Sequence, residues 1–320
     1  MFSLRPRFTL FLFLLLFIAL LPLAILIGTQ VLAAPPAPRQ EATRVAAEVD
    51  RLFKMRMSEV FTLAALPSMR AYASSDITAR PARAPVAMNE LQALVAADTQ
   101  VREAFIVDLE GNPILGTGDA IKVIWGNRTF VQRALAGQLD VSPIVHEMNE
   151  YSQYYAAPIL DGKGDVAGVF VIRVAAQELW GTVNGNSDPP SGQYAVLVDE
   201  NGIRLADGGD MARNLAALGP LATDLQARII REQTYGAQVL AVRTTQFTRA
   251  QEAVSRGFPE ALQPADLGVQ TLAIHRLSTR PWTVLFVVAS PSPREFVVPY
   301  ILPVVAAIVA AGAVALWLTR

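Results

Sequence analysis

Ala104-Phe105-Ile106-Val107-Asp108-Leu109-Glu110-Gly111-Asn112 runs as an apolar strand into a glycine turn, and Ile114-Leu115 continues on the other side of it. Tyr194-Ala195-Val196-Leu197-Val198-Asp199-Glu200-Asn201-Gly202 repeats the pattern, with Ile203-Arg204-Leu205 as the return. Each is a hairpin signature: a β-rich run, a turn centred on glycine, a second run. In both copies an aspartate stands three residues before the turn glycine, Asp108 in one and Asp199 in the other. An aspartate there bonds the backbone amides that follow and starts the turn, so both are read as turn formers rather than catalytic acids. Two such hairpins, each entering a segment of similar size, predict tandem modules.

Working outward, Asn127 to Leu135 predicts a short amphipathic helix that Gly137 can end. Strands are expected at Asp140–His146, Tyr151–Leu160 and Val166–Ala175, the last two flanking the turn Asp161-Gly162-Lys163-Gly164-Asp165. This gives an antiparallel meander with helices packed to one side. The second module is expected to close with strands at Thr271–Arg276 and Trp282–Ala289, with a helix at Ala222–Glu232. Ahead of both modules, Val45, Val49, Phe53, Met57, Val60 and Ala64 recur at spacings of three and four, one face of a long helix bounded by Pro67. This helix, 38–66, suits a stalk whose stripe forms a dimer seam, and it equally suits a cover for one face of a sheet. A further helical patch is expected at Asn89–Ala97. The fold class is α+β: a long N-terminal stalk helix, then tandem modules with antiparallel sheets at 87–184 and 191–293.

The 320 residues are 52% hydrophobic with mean hydropathy +0.33 and 17% charged, which excludes intrinsic disorder. With 27 basic and 28 acidic residues the net charge of −1 argues against a nucleic-acid partner. The absence of cysteine excludes disulfides, thiolate metal sites and cysteine nucleophiles. His146 and His275 are the only histidines, too few for a histidine-rich zinc site, and no metal or cofactor is expected. Residues 8–34 and 296–319 carry no charge, and each is long enough to cross a bilayer as a helix. Two readings of the first run stand, a retained span and a longer-than-usual signal peptide cut near Ala33-Ala34. In the second run Ala306, Ala307, Ala310, Ala311 and Gly312 offer a small-residue packing face, although alanine is common throughout. Arg5 and Arg7 before the first run and Arg320 after the second place both ends, including residues 1–7, in the cytoplasm. The segment between them is then extracytoplasmic, on a two-pass inner-membrane protein.

Asn127-Arg128-Thr129-Phe130-Val131-Gln132-Arg133-Ala134-Leu135-Ala136-Gly137 is followed by Val141-Ser142-Pro143, by Tyr155-Ala156-Ala157-Pro158-Ile159, and by Asp161 to Val169. Val196 to Gly202 and Pro281-Trp282-Thr283-Val284 come later in the chain. This order, between two apolar runs, resembles the double Cache family of bacterial extracytoplasmic sensor domains, whose modules are PAS-like. The resemblance covers residues 38 to 318. It implies a non-enzymatic sensor that binds a small molecule in the distal module and passes a displacement through stalk and spans to a cytoplasmic output. The output is expected on a separate kinase or signalling partner, since Arg320 ends the sequence.

The resemblance also implies where the ligand sits, between the short helix and the sheet. In amino-acid-binding members an Arg, a Trp two positions on and the Tyr next to it take the carboxylate end, and an Asp on the last strand takes the amine. Here those positions hold Arg128, Phe130, Val131 and Arg173. An arginine in place of the aspartate repels an ammonium group, whereas two guanidinium forks suit carboxylate or phosphate. The expected ligand is therefore a small organic acid rather than an amino acid, held by Arg128 and Arg173 and walled by Trp125, Phe130, Tyr154 and Tyr155. Competing roles are a structural ion pair for Arg128, a solvent-facing register for Arg173, and plain packing for the tyrosines. An enzyme is disfavoured: the chain has no Gly-x-Ser-x-Gly elbow, no His-Glu-x-x-His and no serine triad. The remaining alternative is an accessory or truncated membrane subunit without ligand binding.

Overall fold

The computed structural model describes residues 38–236, 239 and 242–288. Both apolar runs lie outside the described residues, and among the described residues no helix is long and apolar enough to cross a membrane.

Helix α1 (Pro38–Ala64) has 27 residues, about 40 Å at about 1.5 Å per residue. Proline is tolerated in its first turn, where no amide donor is missed. Val45, Val49, Phe53, Val60 and Ala64 are buried as the spacing predicts, but against the protein's own sheets. The expected dimer seam is thereby overturned: Phe53 lies 6.4 Å from the Tyr155 ring and 5.3 Å, edge-on, from Trp282. Helices α2 (Pro67–Ala73) and α3 (Arg80–Ala97) follow. The latter starts well before Asn89 because Pro81 falls in its first turn and Pro85 is absorbed inside it.

The distal sheet comprises β1 (Val101–Val107), β2 (Pro113–Gly116), β3 (Asp140–Val141), β4 (Val145–Glu147), β5 (Glu150–Leu160) and β6 (Val166–Ala175), with α4 (Thr129–Leu135) between β2 and β3. Its order is β2-β1-β6-β5-β3, with β4 also on β5, so β1 pairs with a strand distant in sequence and the sheet is not a simple meander. The expected strand Asp140–His146 is split in two around Pro143. Both faces are covered, which corrects the expected one-sided packing. Tyr155, Ala157, Phe170 and Ile172 join the core under α1, while Phe105, Tyr154, Ala156 and Val171 pack under α4. The strand period of two separates these sets.

Helix α5 (Ala176–Asn184) leads into the proximal module. Its elements are β7 (Gln193–Val198), β8 (Arg204–Asp207), β9 (Ala216–Ala217), α6 (Thr223–Glu232), β10 (Arg243–Thr244), α7 (Thr248–Ser255), β11 (Thr271–Arg276) and β12 (Thr283–Val288). The main sheet, β11-β12-β7-β8, is antiparallel, and β9 with β10 forms a small parallel pair. The arrangement repeats that of the distal module: Leu197, Leu205, Val284 and Phe286 face the core shared with α1, and Val196, Val198 and Leu285 face a separate core with α7. Both turn aspartates do as expected. Asp108 accepts amide bonds from Glu110 and Asn112, and Asp199 from Asn201 and Ile203. Both histidines are strand residues, His146 on β4 and His275 on β11.

Candidate functional site

The α4 face of the distal sheet carries most of the expected site. The Asp108 turn brings Gly111 (φ +86°) against Gly126, where a Cβ would stand 2.1 Å from the Gly126 Cα, so only glycine fits. That contact seats the loop carrying Trp125, whose backbone N–H donates to the Gly111 carbonyl and whose indole donates to the Ala120 carbonyl at 2.9 Å. Trp125 lies 4.9 Å from both Phe105 and Tyr154, and Phe130 stacks on Tyr154 at 5.3 Å. Three of the four aromatic residues expected as walls are thus packed on one another. Tyr154 donates to Glu147 at 3.2 Å, and burial together with that carboxylate raises its pKa, so it is a neutral donor. Tyr155 is placed differently. Adjacent strand residues point to opposite faces, and its hydroxyl donates to Gln153 on the α1 side. It cannot line a site that Tyr154 lines.

Arg173 is paired across the sheet with both Tyr154 and Glu103 and is 4% exposed. Its Nε donates to Ser152 at 2.9 Å, one terminal nitrogen to Glu103 at 3.0 Å, and the other to Glu150 at 2.8 Å. Arg128, the N-cap residue of α4, pairs with buried Glu147 and donates to the Gln233 carbonyl at 2.6 Å. Its guanidinium lies 5.9 Å from the Trp125 ring, and its buried Nε has no hydrogen-bond partner among the described residues. The structure therefore brings Trp125, Arg128, Phe130, Tyr154 and Arg173 to one face of the sheet and adds Glu103, Glu147 and Glu150. Two of these glutamates flank the tight β4–β5 hairpin, whose central residues Met148 (φ +53°) and Asn149 (φ +59°) are both left-handed, the geometry that matches strand twist. The sequence reading missed all three. The signal available was Glu103 in step with Phe105 on β1, and an asparagine between Glu147 and Glu150.

Beside this face lies a cleft of about 380 Å³ between the two modules. Its walls are α4 and β3 on one side and the Asp199 turn, α6 and the approach to β12 on the other. Asp140, 3% exposed, is ion-paired to Arg280 and lies 3.6 Å from Arg133. Burial raises its pKa although both arginines oppose the shift. Arg280 also lies 5.4 Å from the Trp282 ring, and the Trp282 indole donates to Glu200 at 2.9 Å. Asp199 accepts a hydrogen bond from the Tyr235 hydroxyl, while burial and the neighbouring Glu200 charge raise its pKa. None of these proximal-module groups was singled out in the sequence as part of a site.

No protein-family model matches the sequence, and neither does any curated protein. Solved structures do match. The sensor domain of the Vibrio cholerae histidine kinase DctB aligns over 79% of this chain and 96% of its own, with a TM-score of 0.60 at 13% identity. The chain has the double Cache fold. The extracellular domains assigned to two further histidine kinases, vpHK1S-Z8 and rpHK1S-Z16, align over 79% of this chain at TM-scores of 0.54 and 0.52. They cover 91% and 92% of their own chains, at 14% and 15% identity. At such identities the likeness is one of fold. Arg128 and Arg173 both belong to the distal module, and the cleft lies between the two modules.

Proposed function

We propose that this chain is an extracytoplasmic small-molecule sensor anchored by spans at 8–34 and 296–319, which reads a small organic acid in its distal module. The observation that carries the ligand class is the pair of buried guanidinium groups, Arg128 and Arg173, beside Trp125, Phe130 and Tyr154 on one face of the sheet. Arg173 already holds two carboxylates, so an acid has to replace one. Glu150 is the replaceable partner: its side chain is 49% exposed, whereas that of Glu103 is 8% exposed. A ligand carboxylate that takes its place on Arg173 returns this half-exposed carboxylate to water.

Signal output runs through α1 and the spans to a cytoplasmic kinase or signalling output. A homodimer through the stalk and spans has to use the solvent side of α1, where Met55 and Phe61 are exposed, because the other side is occupied by the sheets. Ligand binding shifts such an assembly only by its differential affinity for the two arrangements.

The test is a thermal-shift series on the full-length protein in detergent, with organic acids, amino acids and amines. A specific binder at 100 times its Kd adds about 2.7 kcal/mol of stability. An organic acid should raise the melting temperature, Arg173→Ala should abolish the rise, and Glu150→Gln should enlarge it. Stabilisation by an amine would instead make Glu103, Glu147 and Glu150 the readers and refute the acid. No response to any class favours the accessory-subunit reading.

A further inference from the structure

We infer that residues 233–236 of the proximal module form a strap on the distal site, through which the state of Arg128 is felt at the Asp199 turn. Its response to a ligand rests on the sensor reading, in which Arg128 touches the acid. The strap begins where α6 ends, at Gln233 in the left-handed region (φ +50°). From there the Gln233 carbonyl reaches the distal module, where a terminal nitrogen of Arg128 donates to it at 2.6 Å. Two residues on, the Tyr235 carbonyl accepts from the backbone N–H of His146 at 2.8 Å. Among the strands β4 pairs with β5, so the strap takes up an amide that the other edge of β4 presents. Gly236 (φ +101°) passes so close that a Cβ there would stand 2.3 Å from the His146 carbonyl oxygen.

The other end of the strap is fixed in the proximal module. Tyr235 is buried, and its hydroxyl donates to Asp199 and accepts from the Asn201 side chain at 3.0 Å. One residue thus holds the distal module by its carbonyl and the proximal one by its ring. In the same turn Glu200 accepts from Trp282, just ahead of β12. The helix that leads into the strap is lightly held: Ile229 is the one buried residue of α6, the mark of a segment that opens below the cost of global unfolding. An acid that grips the terminal nitrogens of Arg128 competes with the partners already there, Glu147 and the Gln233 carbonyl. Glu147 holds the guanidinium charge to charge, so the neutral carbonyl is the partner that yields. Binding at Arg128 and closure of the strap therefore oppose each other, and the coupling runs in both directions.

The test uses the full-length protein in detergent and no ligand, so the strap can fail while the acid reading stands, and the reverse. Two readouts are taken, one in each module: hydrogen exchange at the His146 amide, and the fluorine resonance of Tyr235 in protein labelled with fluorotyrosine, assigned by its loss in Tyr235→Phe. Tyr235→Phe cuts the tie to Asp199 and should lower His146 protection, in the other module, about fivefold, as for loss of one hydrogen bond. Arg128→Lys keeps a cation opposite Glu147 but lacks the fork that reaches two acceptors. It should lower His146 protection about tenfold, as for loss of a charged donor, and shift the Tyr235 resonance in the proximal module. Gly236→Ala changes no charged group and forces the strap off β4, so it should produce both effects. Unchanged His146 protection in Tyr235→Phe, an unmoved Tyr235 resonance in Arg128→Lys, or either readout unmoved in Gly236→Ala would overturn the strap.

Discussion

Replacing Phe53 by alanine should loosen both modules at once. Phe53 is fully buried in α1, 6.4 Å from Tyr155 on β5 and 5.3 Å from Trp282 just ahead of β12, so one ring packs against both halves. A buried Phe→Ala change costs about 3–5 kcal/mol through lost transfer energy and the cavity left behind. The edge-on contact with Trp282 adds about 0.5–1.5 kcal/mol beyond area, which places this site in the upper part of that range. For a unit of this size each kcal/mol moves the melting temperature by about 2–4 °C, so a cost of about 4–5 kcal/mol lowers it by about 8–20 °C. Met55→Ala on the exposed side of α1 is the control, and its effect should stay within about 0.5 kcal/mol. Thermal melts followed by circular dichroism supply the first readout. Hydrogen exchange at β5 and β12 supplies the second, and protection should fall at both. A drop no larger than that of Met55→Ala, or exchange confined to one sheet, would refute the claim that α1 is common to both cores.

Two further outcomes follow from the charges around α1. Arg56, 4% exposed, binds Glu178, Glu59 and Asp98 at 2.6–3.0 Å, so Arg56→Ala leaves three carboxylates facing one another and should cost about 3–5 kcal/mol by urea denaturation, with Arg56→Lys intermediate. Asp50 accepts bonds from the amides and hydroxyls of Ser278 and Thr279. Burial pushes its pKa up, but these bonds outweigh it and hold the carboxyl below its ordinary value. A depressed carboxylate stabilises the fold above its unfolded pKa of about 3.9, and that contribution disappears as pH falls through the lower folded value. Asp50→Asn should therefore be less stable than wild type at pH 7, and the gap should close below about pH 3.9 in a pH series of melts.

Much of this architecture is legible in the residues because it rests on local chemistry. Val166–Ala175 and Thr271–Arg276 are strands with the bounds the pattern predicts, and the two turn aspartates bond their own backbone. Apolar spacing also finds the buried side of α1, but periodicity says only that a face is covered, not by what. Hence a seam between chains and a cover for two sheets read alike until Phe53 is seen against Tyr155 and Trp282. The segment between β8 and β11 is harder, because α7 and the two-residue strands β9 and β10 owe their form to packing rather than to propensity. At the site, Arg128 and Arg173 could be found by position, yet Glu103 lies 70 residues before the Arg173 it binds. The cleft is built from segments that only tertiary structure brings together.

The shared helix also bears on how such a chain can evolve. The modules follow one another in sequence, and a gene break between residues 184 and 193 would look like a clean excision point. It would not be one. Only the upstream piece keeps Pro38–Ala64, and the downstream piece would expose Val284, Phe286 and Leu197 to water. Recombination that transplants the second half alone delivers a sheet with no lid, so the two halves are inherited together and the unit that can be exchanged between genes is the whole of it.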